Sequence, residues 1–427
     1  MFKGIKQIFS PRNKDIRNKI LFTLLILFIY KLGTAVRVPG TENITQDLGF
    51  LELLNVMGGG SLRNFSIFAL GVTPYISASI IVQLLQMDIV PYFSNLAKEG
   101  YTGRTKLNKI TRYMGIALAF LQGLVMSFSF LGDGATSIEY LRTTLILTAG
   151  TCFLLWLGDQ ITTKGVGNGI SMLIMAGILI STPSMMVDAF GSFVVSGTTQ
   201  EVALGVTKFL LFLLVYIAII VGVVFIEKSE RRIPVQYSNK TATAYGAKQT
   251  YIPFKLNSAG VMPVIFASSL ISIPSLIATF IKKDSFSLFV NSYINYNTVT
   301  GFILYILLII LFTYLYTFMA GLKPKDLSEN LNKQGGYIPG VRPGKETKNY
   351  ISKVLSRTTF LGALFLIVIA GLPIIVSNLS SLPTSVTVGG TGLLGTGLLI
   401  VVGVALETYN QVESSISARK YERGYRR

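Results

Sequence analysis

The feature that most constrains this chain is a run of ~20 predominantly apolar residues, the length of one bilayer-spanning helix, repeated many times along 427 residues. Ten such stretches can be read: Ile20–Val36, Phe65–Leu85, Met114–Phe130, Thr143–Leu157, Ile170–Val187, Phe209–Ile226, Ala259–Ile281, Phe302–Met319, Phe360–Val376 and Leu393–Leu406. Charged residues make up 14% of the chain, against roughly 25% in a soluble domain. The pattern predicts an all-α integral membrane protein and argues against both disorder and a soluble enzyme. The first stretch lacks a small-residue cleavage pattern and carries Lys31 and Arg37 at its flank, so it reads as a span rather than a removed signal peptide.

Composition removes several chemistries. The chain contains no histidine, which excludes a Ser-His-Asp triad, an HExxH metalloprotease, haem ligation by histidine and a histidine proton shuttle. The one cysteine, Cys152, lies in an apolar run and reads as a packing residue, leaving no intrachain disulfide and no cysteine metal cluster. No GxSxG or GxxxxGK[ST] sequence occurs, so the chain reads as neither a serine hydrolase nor a P-loop ATPase. No cofactor or metal is expected.

The net charge of +18 is distributed by topology. Of 38 basic residues, 31 fall in the amino end, the even-numbered connections and the tail. The opposite side holds only Arg37, Arg63, Arg142, Lys282 and Lys283, with Lys31 and Lys208 near it. This positive-inside alternation predicts an even number of spans with both termini cytoplasmic. The two longest cytoplasmic loops, Glu227–Asn257 and Gly321–Arg357, are basic. Orientation signalling alone is one reading. Their length, and the turn-rich run from Gln334 to Gly344, also suit docking of a large partner, acidic protein or RNA alike.

Two spans share a motif. Gly71-Val-Thr-Pro-Tyr-Ile-Ser-Ala-Ser79 and Gly260-Val-Met-Pro-Val-Ile-Phe-Ala-Ser268 agree at six of nine positions, at an offset of 189 residues (71 against 260). Ten spans divided five plus five make these the second span of each half, and an odd count inverts one half relative to the other. Inverted repeats in membrane proteins surround a pathway near the bilayer midplane. Pro74 and Pro263 are expected to interrupt their helices, and the interrupted segments to face the interior. Ahead of Pro74, three consecutive glycines in Gly58-Gly-Gly-Ser-Leu-Arg-Asn64 predict a mobile or partly helical segment. It is either an ordinary external loop or a loosely held stopper. The acids nearest the spans, Asp88, Asp159, Asp188, Glu227 and Glu407, sit at span ends or in loops. A pathway without interior charge gives little to bind a small ion, and an apolar constriction suits a gated pore better than a pump. A secondary transporter with a five-plus-five inverted repeat is the alternative.

Across nearly its whole length the chain resembles the SecY family, the central channel subunits of the bacterial protein translocon. The resemblance rests on Phe65-Ser-Ile-Phe-Ala-Leu-Gly with Pro74-Tyr-Ile-Ser-Ala-Ser-Ile80, Trp156-Leu-Gly-Asp-Gln-Ile161 with Gly167-Asn-Gly-Ile-Ser171, Asn257-Ser-Ala-Gly-Val-Met-Pro263 with Ile265-Phe-Ala-Ser-Ser269, and Tyr337-Ile-Pro-Gly-Val-Arg-Pro-Gly344. It implies an hourglass of two inverted five-helix halves around a central pore, residues 20–190 and 191–410, between an amino end (1–19) and a basic tail (411–427). It implies a pore ring of Val72, Ile76, Ile170, Ile174, Ile265 and Ile400. Val72 departs mildly from a position that is often isoleucine, and a duplicated glycine-threonine pattern from Gly389 to Thr396 loosens the register of Ile400. It implies a half-helical plug over about Asn55–Phe65, containing Gly58, Gly59, Gly60, Ser61, Leu62, Arg63 and Asn64. Ser77, Gln122 and Asn257 are implied contacts of a lateral gate between the second and third and the seventh and eighth spans. Arg231, Arg232 and Arg342 are implied docking positions. The function implied is a passive protein-conducting channel of the cytoplasmic membrane, passing unfolded secretory precursors and releasing hydrophobic segments sideways into lipid. The partners implied are the small subunits SecE and SecG, the SecA motor ATPase and a translating ribosome, with ribosomal RNA contacted through the basic loops. The long basic loops favour a housekeeping over an accessory form.

Overall fold

A computed structural model describes residues 14–41, 55, 58–86, 90–132, 135–194, 199–237, 250–281, 284–294, 298–320, 323–379 and 396–425. The described helices are α1 (Lys14–Ala35), α2 (Thr73–Leu84), α3 (Pro91–Lys98), α4 (Tyr101–Leu131), α5 (Ser137–Lys164), α6 (Gly169–Phe193), α7 (Thr199–Lys228), α8 (Met262–Ile281), α9 (Asp284–Phe289), α10 (Val299–Leu315), α11 (Pro324–Lys333), α12 (Lys345–Leu379) and α13 (Thr396–Tyr425). Three short strands, β1 (Glu230–Tyr237), β2 (Thr250–Lys255) and β3 (Gly336–Tyr337), lie between them. Among the described residues seven helices are long and apolar enough to cross a bilayer, α2 and α8 carry shorter apolar stretches, and α13 completes the ten expected spans. The chain is a multi-pass membrane protein.

Several expected boundaries change. α4 begins at Tyr101 and α12 at Lys345, well before their apolar segments, so Arg104, Lys106, Lys109 and Arg112 sit on helix rather than in a loop. α13 runs unbroken to Tyr425, so the expected basic tail continues a helix. Hydropathy registers only the part of a helix that meets lipid, whereas the hydrogen-bond ladder continues for as long as nothing interrupts it. The glycine-threonine pattern at 389–395, the amino end before Lys14, the loop at 238–249 and Asp88, Lys282 and Lys283 lie outside the described residues.

The larger correction concerns the shared motif. Pro74 and Pro263 are each the second residue of their helix rather than a mid-helix interruption. That position tolerates proline because its N–H has no intrahelical partner. The break falls just before it, at Gly71 (φ +57°) and Gly260 (φ +63°), in the left-handed region that glycine enters without steric cost. The Val72 carbonyl accepts from the Tyr75 and Ile76 amides at 3.1 Å. The Val261 carbonyl accepts from Val264 at 3.1 Å and Ile265 at 3.3 Å. The two copies therefore start a helix with the same turn.

Bilayer lipid is as apolar as leucine, so helices associate by close packing and hydrogen bonds rather than by hydrophobic burial, and small residues mark the closest approaches. A methyl group added to Gly150 would stand 1.9 Å from the Ile67 carbonyl oxygen, and one on Gly362 2.7 Å from that of Leu256. α8 packs on α2 and α4 along one seam, and α13 packs on α6 and α7 along the other. We expect Gly150→Ala to lower thermal stability in detergent by about 1–3 kcal/mol, because backbone must move. Gly222→Ala, which meets nothing within 4 Å, should be neutral or stabilising by roughly 0.5–1 kcal/mol.

Candidate functional site

The six expected ring residues come from four helices. Val72 precedes α2 and Ile76 lies in its first turn, Ile170 and Ile174 are on α6, Ile265 on α8 and Ile400 on α13. All six belong to one apolar cluster with Leu173, Phe266 and Leu399, five of them buried and Ile170 half-buried at its rim. The breaks that start α2 and α8 therefore place Ile76 and Ile265 in equivalent first turns, as the repeat predicts. The carbonyl of each break glycine takes a side-chain donor. The Thr151 hydroxyl on α5 donates to Gly71 O at 3.3 Å, and the Asn257 amide donates to Gly260 O at 3.0 Å. Nothing in the sequence pattern singled out Thr151, since threonine is common in apolar helices.

Asn55 is helical, 51–54 and 56–57 lie outside the described residues, and 58–72 are turns on either side of an isolated bridge between Ser66 and Arg37. The described part of the segment packs on its neighbours through buried side chains and backbone hydrogen bonds. Leu62 and Phe65 are buried in a cluster with Val38, Leu70, Met126, Phe130 and Leu147. The Arg63 amide donates to Asn55 Oδ1 at 2.8 Å and the Gly60 amide to Asn55 O at 2.9 Å. Val38 N donates to Phe65 O and Ile67 N to Val36 O, both at 3.0 Å, tying the segment to the end of α1. Ser61 is fully buried and its hydroxyl has no hydrogen-bond partner among the described residues, while Arg63 and Asn64 are exposed. Gly58 and Val72 line a common void of about 10 Å³ with Tyr30, Leu154 and Leu173, near the lower limit for one water. A methyl on Gly59 would stand 3.3 Å from Gly177 Cα on α6. The segment thus sits directly against the aliphatic cluster.

Along the seam, Ser77 on α2 and Asn257 ahead of α8 are buried and Gln122 on α4 is half-buried. Among the described residues no hydrogen bond joins these three to one another. Asn257 instead donates to Glu227 Oε1 at 2.6 Å and to Gly260, while its own Oδ1 is buried without a partner. A void of about 10 Å³ lies between Ile80, Gln83 and Leu84 on α2 and Phe266, Phe312, Leu315 and Tyr316 on α8 and the α10 end. Phe266 meets the rings of Phe312 and Tyr316 edge-on. Arg112 and Asp159 pair across α4 and α5 in an exposed position, where such pairs contribute little stability.

The two long basic loops are one folded unit. β1 is the centre of an antiparallel sheet ordered β2-β1-β3, with Ile233 opposite Ile252 and Gln236 opposite Tyr337. The Tyr337 hydroxyl donates to Gln236 Oε1 at 2.9 Å. Ile233, Val235, Phe254, Leu331, Ile338, Ile351 and Leu355 form its core. Arg231 and Arg232 fall on opposite faces of β1 by the strand's two-residue period, and both are exposed. Arg232 donates to Glu230 Oε1 at 2.7 Å and lies 4.7 Å from the centre of the Tyr251 ring. Glu230 holds its guanidinium above the usual arginine pKa. Arg342 is exposed at the turn, where its carbonyl accepts from the Thr347 hydroxyl at 2.8 Å. The sheet was not read from the sequence. The spacing of Ile351, Val354, Leu355 and Thr358 is a helical signal that was present there.

The SecY family model matches residues 66–409. The protein translocase subunit SecY of Staphylococcus aureus strain NCTC 8325 is 46% identical over 424 residues, covering 96% of this chain and 97% of that protein. The Staphylococcus carnosus subunit of the same name is 45% identical, covering 99% of each. A solved protein-conducting channel superposes with a TM-score of 0.68 at 17% identity, over 93% of this chain and 92% of the other. Sec61 in the canine ribosome-channel complex from the endoplasmic reticulum gives 0.64 at 17% identity, with the same coverage. Phe254→Ala should cost the sheet unit about 3–5 kcal/mol. Limited proteolysis should then cut within residues 230–355 while the membrane helices stay intact.

Proposed function

The chain belongs to the SecY family, and on that premise we infer that it is a protein-conducting channel rather than an enzyme. Unfolded polypeptides pass through its aliphatic constriction, and hydrophobic segments leave along the α2/α4–α8 seam into lipid. One observation carries this reading best: aliphatic side chains from α2, α6, α8 and α13 converge in a single apolar cluster, with the turn segment at 58–65 packed against it. An uncharged ring offers no coordination to a small ion and resists its passage by dewetting, yet contacts any polypeptide side chain weakly. It therefore suits cargo of arbitrary sequence. A secondary transporter would need a solute site with ionisable or coordinating groups, which these residues do not offer.

In this reading Val72, Ile76, Ile170, Ile174, Ile265 and Ile400 form the pore ring, and residues 55–65 the plug. Ser77, Gln122 and Asn257 are the polar positions of the seam. A segment of ~20 apolar residues partitions into hydrocarbon once the seam opens. The sheet unit bearing Arg231, Arg232 and Arg342 receives the SecA motor ATPase or a translating ribosome, whose RNA is complementary to its positive charge. SecE and SecG complete the membrane complex. The chain lies in the cytoplasmic membrane with both termini in the cytoplasm, and its halves are residues 20–190 and 191–410.

In planar bilayers, Ile76→Gly with Ile265→Gly, or deletion of Asn55–Phe65, is expected to raise resting ion conductance roughly tenfold or more. Conductance equal to the parent in both would remove the ring assignment. Arg342→Glu should slow precursor translocation into proteoliposomes roughly tenfold, the equivalent of about 1.4 kcal/mol, with resting conductance unchanged. Saturable uptake of a small solute would instead favour the transporter.

A further inference from the structure

A ring of flexible side chains has a width only if something behind each side chain fixes where its tip rests. For Ile170 that support is unusual. α5 and α6 meet backbone to backbone: a methyl on Gly169 would stand 1.7 Å from the Gly158 carbonyl oxygen. The Gly169 amide donates to Thr162 Oγ1 at 2.9 Å, and the Thr162 hydroxyl in turn donates to Gly158 O at 2.9 Å. Asn168 caps α6, its Oδ1 accepting from the Ile170 amide at 3.1 Å and the Ser171 amide at 3.4 Å. The first turn of α6 is therefore pinned to α5, and Ile170 leaves that turn with its Cα fixed.

Behind Ile170 the wall of α5 is bare. A methyl group on Gly158 would stand 2.8 Å from Ile170 Cδ1. Its next neighbours, Ile170 N and Leu173 Cδ1, would lie at 3.5 Å, an ordinary contact. One added methyl thus meets one hard obstacle, the tip of a ring side chain. The pinned backbone cannot retreat, so the tip must move. Ile170 is the one ring residue that is only half-buried, so it has room to swing away from α5.

We propose that Gly158 sets the aperture of the pore: its missing side chain is the seat in which Ile170 lies back, and any side chain there drives Ile170 into the opening. Gly158 is a positioning residue acting through Ile170, and the proposal rests on the ring reading above. Glycine at this place costs helix propensity, while the tight backbone contact itself needs only Gly169 bare.

The test uses the full chain with its co-purifying membrane subunits in planar bilayers, deleted for Asn55–Phe65 so that the ring alone limits the current. Gly158→Ala should cut unitary conductance to roughly half. Gly158→Ala with Ile170→Val, which removes the Cδ1 that the new methyl strikes, should restore it. Thermal stability of Gly158→Ala in detergent equal to that of the parent separates a narrowed opening from a loosened α5–α6 contact. Gly158→Ala with Leu173→Val, which shortens the other neighbour and leaves Ile170 Cδ1 in place, should not restore conductance. Unchanged conductance in Gly158→Ala, a loss not relieved by Ile170→Val, or a loss relieved equally by Leu173→Val would each overturn the proposal. Ile170→Gly serves as the separate check. It should raise conductance, and failure to do so removes Ile170 from the ring whatever Gly158 does.

Discussion

Backbone amides and carbonyls within a bilayer must find partners inside the protein, and this chain starts two of its apolar helices after non-helical turns. Both breaks use the same turn, with glycine at positive φ, valine carrying the first helical carbonyl and proline as the second helical residue. What differs is how the exposed glycine carbonyl is satisfied. In one half a threonine reaches across from α5, and in the other an asparagine folds back from the preceding loop. The repeat is therefore one of backbone geometry, and the side chains that complete it are local solutions. Because each break fixes where its helix starts, it also fixes the first-turn residues Ile76 and Ile265 at corresponding places.

The membrane helices and the sheet unit are continuous. α12 places Ile351 and Leu355 in the core beneath the sheet and Leu366 and Ile369 in the cluster that holds the ring residues. β2 leads through Asn257 directly to the break at Gly260. The hairpin is rooted where the Leu256 amide donates to the Ser229 carbonyl at 2.9 Å and Asn257 to Glu227. The sheet is thus joined through α12 to the apolar cluster and through β2 and Asn257 to the start of α8.

The sequence made the spans and the repeat legible because each rests on a composition rule: apolar length and residue identity at fixed spacing. It misplaced what depends on neighbours distant in the chain. Proline in an apolar run reads as a kink, and only the preceding turn reveals it as a helix start. Three glycines read as slack, yet Leu62 and Phe65 beside them are anchored by α4 and α5. The basic loops read as irregular because polar surface strands carry weak periodicity, and the pairing of Gln236 with Tyr337 joins residues about a hundred positions apart. Gly158 and Gly169 were two glycines among 41 until their contact was visible.

The most direct measurement is a photo-crosslinking scan with an arrested secretory precursor. Probes at Ile76, Ile174, Ile265 and Ile400 compare the buried constriction with probes at Leu214 and Leu307, which are 64% and 57% exposed on the outer faces of α7 and α10. A polypeptide threaded through the aliphatic ring gives adducts at the four interior positions and none at the two outer ones. Adducts at Leu214 and Leu307 with none in the interior would mean that the polypeptide travels along the outside of the bundle, and the ring would not be its path.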